Sequence, residues 1–282
     1  MNNNYPMQLA QQNNFSGNFR LRDALIGETK NGKQYMRIFI EDMDTCLPAY
    51  IWKEELYRDV YLPNNVLAKI EGRSRYYYNQ LQVDLTAINP VGFKRAGEVI
   101  RLIPQSICPL PELLVDLQSA IERITIPALR QFIEAVFADD GIAFAFVSAP
   151  ASIKHHHNHP GGLLKHSLEC MGMVSRHREF SQDSYQLGQV AALLHDVGKI
   201  LTMTHSMART SLGQNAEHEK LTYEVLKPYL AQLERSWPEG AKELKYDMGW
   251  KIWRSVPRYN MADLVACSDR LSAGFDMDRK RA

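Results

Sequence analysis

The chain has 282 residues, with 33 Lys and Arg against 32 Asp and Glu and a formal charge of +1. That balance excludes a global electrostatic pull toward nucleic acid or an anionic membrane, so any nucleic-acid site must be a local patch. A composition of 45% hydrophobic, 10% aromatic and 23% charged residues is that of a globular protein and excludes collagenous or wholly disordered chains, at a length that suits one large domain or two ordinary ones.

The first segment, residues 1–14, is rich in Asn and Gln, too poor in apolar groups to pack, and reads as a mobile tail. It has no basic region followed by an apolar stretch, and nowhere do ~18 apolar residues run together as a spanning helix needs. The expectation is a cytoplasmic protein without a membrane partner. Cys46, Cys108, Cys170 and Cys267 are widely spaced and form no CxxC pair, which argues against a zinc knuckle or a redox dithiol and for reduced thiols. Over residues 15–92 short β-like runs follow one another. Tyr35-Met-Arg-Ile-Phe-Ile40 alternates after the turn signal Lys30-Asn-Gly-Lys33, which predicts a hairpin. Leu47–Trp52, Val66–Gly72 and Leu81–Ile88 supply further strands, with a short helical insert near Glu54–Val60. Five strands in about 75 residues suit a small closed barrel.

Residues 93–110, punctuated by Pro104 and Pro109 and lacking periodicity, read as a linker. From 111 to 282 the hydrophobic period becomes helical. Helices are predicted near Glu112–Ile124, Pro127–Phe137, Leu163–His177, Tyr185–His195, His218–Trp237 and Met261–Phe275. The fold class expected is a small β-barrel followed by an all-α domain.

All nine histidines fall between His155 and His218. Imidazole and carboxylate suit a divalent transition metal or magnesium, and an adjacent His195-Asp196 pair presents both from one helix end. A metal so held lowers the pKa of a coordinated water, which is what hydrolysis of an unactivated phosphate ester requires. A lone His or a single His-Asp dipeptide is usually structural. Here His166 lies on one predicted helix, His195-Asp196 ends a second ahead of Gly198-Lys199, and Asp269 lies on another.

This order of His, His-Asp and Asp on successive helices resembles the HD-domain metal-dependent phosphohydrolases. The segments Ala149-Pro-Ala-Ser152, His155-His-His157 and Pro160-Gly-Gly-Leu-Leu-Lys-His-Ser-Leu168 are similar to a stretch shared by two HD branches. One is the bacterial 3′–5′ exoribonucleases with an OB-fold ahead of the HD domain (YhaM-like); the other is the N-terminal domain of MobH-type conjugative relaxases. Phe19-Arg-Leu-Arg-Asp23, Gly32-Lys-Gln-Tyr35 and Leu47–Trp52 resemble the exoribonuclease OB-fold, so that likeness spans nearly the whole chain.

The resemblance implies His166, His195, Asp196 and Asp269 as metal ligands, Asp196 and Lys199 in catalysis with Lys199 beside the scissile phosphate, and His218 in catalysis or on a second ion. It implies a divalent cofactor, Mn²⁺ first, with Mg²⁺, Fe²⁺, Ni²⁺ or Co²⁺ left open. The exoribonuclease pattern has a His-His pair shortly before its last Asp; this chain has Trp250-Lys-Ile-Trp253-Arg-Ser-Val-Pro257 there and no histidine after His218. His156 and His157 are the candidates to compensate, as ligands or as phosphate binders, while His155 and His159 read as polar loop residues.

OB-folds bind single strands by stacking bases along a basic groove. The stretch Arg73-Ser-Arg-Tyr-Tyr-Tyr78 sets cations beside rings, and Tyr35, Tyr50 and Trp52 lie on neighbouring strands; Arg73, Arg75, Tyr77, Trp52 and Tyr35 are the expected nucleic-acid contacts. Residues 1–92 carry ten Lys or Arg and ten Asp or Glu, so affinity should depend on this patch. The function expected is a metal-dependent 3′–5′ exonuclease releasing nucleoside monophosphates from single-stranded RNA, with DNA as a further substrate and self-assembly left open. The alternatives are an HD phosphohydrolase of small nucleotides and a single-strand-binding, relaxase-related accessory factor of a mobile element.

Overall fold

The computed structural model describes residues 14–57, 66–92, 94–249 and 259–279. Two compact units divide the chain, one built on the strands and completed by Arg101–Ser106, the other comprising Lys94–Ile100 and the chain from Ile107 onward. Of the expected tail over residues 1–14, all but Asn14 lie outside the described residues, as does the stretch Trp250–Pro257.

Strands β1 (Phe15–Glu28), β2 (Gln34–Glu41), β3 (Cys46–Ile51), β4 (Val66–Tyr77) and β5 (Gln80–Pro90) close into a barrel in the order β1-β2-β3-β5-β4. Every neighbouring pair is antiparallel except β3 with β5, so the unit is an OB-like barrel. Alternation explains the closure: Met36, Ile38 and Ile40 of β2 point inward with Phe19, Leu21, Ile51, Ile70 and Val83, while Tyr35 and Arg37 point outward. The β1–β2 turn is sealed by Thr29, whose hydroxyl accepts from the Lys33 N–H at 3.0 Å, and by Gly32 at φ +77°. The long β1 pairs with both β2 and β4; a register shift between Arg22 and Leu25, with Asp23 at φ 55°, interrupts its ladder to β2. Of the insert expected over Glu54–Val60, Glu54–Leu56 forms a 3₁₀ turn, and residues 58–60 lie outside the described residues.

The second unit is helical: α1 (Ala96–Ile100), α2 (Leu113–Glu122), α3 (Pro127–Ala138), α4 (Asp140–Ser148), α5 (Gly162–Val174), α6 (Gln182–Leu194), α7 (Lys199–Thr202), α8 (Ser211–Asn215), α9 (His218–Ser236), α10 (Pro238–Met248) and α11 (Asn260–Arg279). Its centre is α6, in which every residue from Gln186 to Leu194 is buried; α5, α10 and α11 pack around it. A helix apolar on all sides belongs in a core. The buried Gln186 is satisfied there because its Oε1 accepts from the N–H groups of Thr125 and Ile126 at 2.7 and 3.1 Å, capping the start of α3. Two sizeable helices were not predicted. In α4, Asp139 caps the N-terminus by accepting from the Ile142 N–H at 3.2 Å, but its apolar run has no stripe. In α10, Pro238 restarts the helix directly after Trp237, so α9 and α10 read as one segment and its tail. Among the described residues no helix is long and apolar enough to cross a membrane.

Candidate metal centre

Three helices of the second unit deliver the cluster. His195 caps the C-terminus of α6 and Asp196 follows it, His166 lies on α5, and Asp269 lies on α11. One ligand atom from each of these four buried residues lies within 4.8 Å of all the others. His166 Nε2 is 3.5 Å from Asp196 Oδ2 and 3.2 Å from Asp269 Oδ1; His195 Nε2 is 3.4 and 3.6 Å from the same oxygens. Two glycines let the backbone close around them. A Cβ on Gly198 would lie 2.1 Å from the His218 carbonyl oxygen, so glycine admits the start of α9 to the His-Asp turn. Thr222 locks that approach, accepting from the Gly198 N–H at 3.1 Å and donating to the His195 carbonyl at 3.0 Å. A Cβ on Gly162 would lie 2.0 Å from the His157 carbonyl oxygen, and the histidine loop packs there against the start of α5.

The partners of both imidazoles fix which nitrogen is available. His195 Nδ1 is 2.9 Å from the Ala192 carbonyl, which can only accept, so Nδ1 carries a proton and Nε2 faces the carboxylates. His166 Nδ1 is 3.0 Å from Ser272 Oγ, and Ser272 spends its single hydroxyl proton on Glu169 Oε2 at 2.8 Å. The serine oxygen therefore accepts from His166 Nδ1–H, and His166 Nε2 is turned to the cluster. Burial disfavours charge on His195, yet Asp196 and Asp269 outweigh it and raise its pKa to about 9. Against the same desolvation, Lys199, His195 and His166 hold Asp196 well below the carboxylate range, and the facing imidazoles of His166 and His195 hold Asp269 low. A site that keeps two carboxylates ionised, with imidazole nitrogens converging on them, is primed to exchange protons for a cation.

His195 Nε2, Asp196 Oδ1, His156 Nε2 and His218 Nε2 are buried and have no hydrogen-bond partner, the condition a bound cation relieves. The residues fit a divalent ion. Cys170 also comes within reach, its Sγ 3.7 Å from His166 Nε2, and could join His166 and His195 in a second grouping. Burial and the negative Asp269 and Asp196 push that thiol well above its ordinary pKa, so the carboxylates are the stronger anionic donors.

Lys199, 6% exposed, sets Nζ 2.5 Å from Asp196 Oδ2. His218 Nε2 stands 3.2 Å from Asp196 Oδ1, and its Nδ1 is 3.3 Å from Glu219. His156 packs its ring 5.3 Å from His166, and burial, with Lys199 and His166 adding, lowers its pKa to about 4. Lys199, His218 and His156 open, with Lys154, Arg209 and Arg270, onto a cavity of about 700 Å³. His157 does not face that cavity. Fully buried at φ 45°, it stands behind His166, with Nε2 3.2 Å from Ser272 Oγ and its backbone N–H donating to Asp276 at 2.7 Å. It buttresses the cluster where a ligand or phosphate contact was expected. His155 is exposed and His159 bonds its neighbouring carbonyl at 3.0 Å, as loop residues do.

Ser272 and Glu169 were missed from sequence. The available signal was their spacing: each lies three residues beyond a member of the cluster, Asp269 or His166, on the same helix face.

On the barrel, Tyr35, Trp52, Arg75 and Tyr77 come together around Tyr50. Tyr50 and Trp52 are stacked at 5.9 Å and 15°, with Tyr35 against Trp52 at 5.2 Å. The Arg75 guanidinium lies 5.7 Å from the Tyr50 centroid and 5.4 Å from that of Tyr77. Arg73 is not in this group; its Nε donates to Asn14 at 3.0 Å beside a neighbouring hollow.

Residues 163–273 match the HD domain family model, a span that contains all four clustered residues. The helical unit thus contains an HD domain. Among curated proteins the chain is similar to a 3′–5′ exoribonuclease YhaM of Oceanobacillus iheyensis, 20% identical over 197 residues, covering 70% of this chain and 62% of that one. A 3′–5′ exoribonuclease YhaM of Listeria welshimeri is 20% identical over 199 residues, 67% of this chain and 60% of its own. The match spans about three fifths of the length of these relatives. Among solved structures, an aspartyl tRNA synthetase from Entamoeba histolytica covers 82% of this chain and 55% of its own at 8% identity and a TM-score of 0.22, too low to indicate a shared fold.

Proposed function

We propose that this protein is a metal-dependent 3′–5′ exonuclease that shortens single-stranded RNA to nucleoside monophosphates. The observation that carries this reading is the buried convergence of two imidazole nitrogens and two carboxylates beside a cation-rimmed cavity that Asp269 lines, within an HD domain. Likeness to the YhaM exoribonucleases supplies the substrate class and direction.

His166, His195, Asp196 and Asp269 would hold the ion, which when bound supplies a hydroxide near neutral pH and offsets charge on the phosphate. Mn²⁺ is the ion we favour for this mixed nitrogen and oxygen set. Lys199 does two things from one place: it holds Asp196 ionised and keeps its ammonium at the cavity, where it neutralises charge developing on the scissile phosphate. Arg209 and Arg270 widen the basic rim for the phosphodiester. His218, at 3.2 Å from Asp196 Oδ1, is placed for a second ion or for the substrate, and His156, neutral at pH 7, offers Nε2 to the same space.

The test is incubation of 5′-labelled single-stranded RNA with the full chain and Mn²⁺. A ladder shortening from the 3′ end, absent in Asp196→Asn protein, is expected. Turnover of mononucleotides with no attack on the strand would replace this reading by a small-nucleotide phosphohydrolase.

A further inference from the structure

The cavity beside the metal centre carries more positive charge than one phosphodiester needs. Among the described residues its lining includes Lys154, Lys199, Arg209 and Arg270 against Asp269, four cations and one acid. Lys199 belongs to the cluster, its Nζ 2.5 Å from Asp196 Oδ2. The other ion pairs of Asp196 among the described residues are with His166, His195 and His218. Lys154 and Arg209 are not among them and stand on the rim, one on the histidine loop and the other on the turn after α7. No Phe, Tyr or Trp lines this space among the described residues, so it offers cations in place of stacking faces for a base.

Arg209 is held by its own loop. Met203 and Arg209 pair across a turn in which the Thr204 N–H donates to the Ala208 carbonyl at 2.9 Å. Thr210 fixes the end of that turn: its hydroxyl donates to the Leu201 carbonyl at 2.7 Å and accepts from the Gly213 N–H at 3.0 Å. A Cβ on Gly213 would lie 2.1 Å from the Thr202 carbonyl oxygen, so glycine lets α8 fold back onto the end of α7. Arg209 Nη1 donates to the Gly213 carbonyl at 3.1 Å, a neutral partner that orients the guanidinium and leaves its charge intact. A guanidinium fixed before substrate arrives loses little freedom on binding, and its planar fork suits two phosphate oxygens.

A strand cut from its 3′ end has one phosphate next to the scissile one, on the 5′ side. We infer that Arg209 and Lys154 form a second phosphate subsite, which takes that adjoining phosphate while Lys199 serves the scissile one. The inference rests on the proposed 3′–5′ action and deepens it: the smallest good substrate is a terminal dinucleotide that carries a further phosphate on its 5′ side.

The experiment measures kcat/KM of the full chain with Mn²⁺ on ApA, which has the scissile phosphodiester only, and on pApA, whose 5′-phosphate stands where the adjoining one would be. It adds ApApA with a neutral methylphosphonate at the first linkage. The value for pApA should exceed that for ApA by about tenfold or more, and the methylphosphonate trimer should fall near ApA. Arg209→Ala with Lys154→Ala should lower pApA far more than ApA and bring their ratio near one, the remaining cleavage of ApA showing a folded site. Arg209→Lys, which keeps the charge, should retain part of the advantage. Binding is read separately with a fluorescent RNA hexanucleotide in EDTA, where no strand is cut. The slope of log affinity against log salt should be shallower by ~0.7 in Arg209→Ala protein, the effect of one phosphate contact on a single strand. An unchanged slope, or equal cleavage of ApA and pApA, would overturn the subsite while strand shortening left the exonuclease reading intact. Failure to cut either dinucleotide or a longer strand would overturn both.

Discussion

Ser272→Ala tests the logic of the metal centre most finely, because it alters no ligand. The hydroxyl sits 3.0 Å from His166 Nδ1, 3.2 Å from His157 Nε2 and 2.8 Å from Glu169 Oε2, so one oxygen holds two imidazoles and a carboxylate in place. Alanine leaves these groups facing one another in a buried space. His166 loses the acceptor that fixes its Nδ1 proton, so the ring can turn or change tautomer and withdraw Nε2 from the cluster. Loss of such an outer partner typically costs ~10- to 100-fold in metal affinity, or about 1.4 to 2.8 kcal/mol. An unsatisfied buried group costs about 1–3 kcal/mol, so the metal-free protein should also lose stability on that order. The assay is Mn²⁺ titration against a competing chelator, with urea denaturation of the metal-free forms alongside. Ser272→Thr keeps the hydroxyl and should recover most of the affinity. Parental Mn²⁺ affinity in Ser272→Ala would refute the reasoning, since His166 would then be oriented without it.

Lys199→Met should lower kcat by about 100-fold while the purified protein keeps its metal, since the ammonium faces the cavity as well as Asp196; metal analysis with saturation kinetics reads both. His218→Ala should reduce activity less than Asp196→Asn if one ion suffices, and equally if a second is obligatory, which parallel kcat measurements resolve. Gly198→Ala should destabilise the helical unit by roughly 1–3 kcal/mol, because its Cβ would press the start of α9 away from the His-Asp turn, as thermal denaturation will report. Asp247 is fully buried on α10 with neither carboxylate oxygen hydrogen-bonded, and burial, with Glu243 adding, raises its pKa to about 8. The unfolded chain ionises near 3.8, so between pH 4 and 8 it binds fewer protons than the folded state and stability should fall as pH rises through that window, then level off, by an upper limit of ~6 kcal/mol. Asp247→Asn should flatten this profile and be the more stable form at pH 8, checked by urea denaturation at pH 5 and pH 8.

What was legible in the sequence follows from how local each signal was. The hairpin β1–β2 was readable because Lys30-Asn-Gly-Lys33 specifies a turn and Tyr35–Ile40 alternates, and both cues survive folding unchanged. The order of His166, His195-Asp196 and Asp269 on successive helices was visible in the sequence, while their grouping as candidate ligands came with the HD resemblance; the structure brings the four side chains together. Helix α4 was not, since Gly-Ile-Ala-Phe-Ala-Phe-Val has no polar face to reveal its period. His157 was grouped with His156 in sequence; the left-handed backbone at φ 45° turns it behind the cluster. Arg75 shows the remaining limit. Its basic character is plain in the sequence, but its neutralisation by Asp84 depends on the pairing of β4 with β5, in which Arg73 lies opposite Asp84 and Arg75 two residues on.

The most direct test of the account is a crystal grown from the full chain with Mn²⁺ and measured at the manganese absorption edge. The account predicts an anomalous peak bounded by Nε2 of His166 and His195 and by the carboxylates of Asp196 and Asp269, lost in Asp196→Asn crystals. A peak held by Cys170 in place of the carboxylates, or no peak in this cluster at full Mn²⁺ occupancy elsewhere, would contradict it.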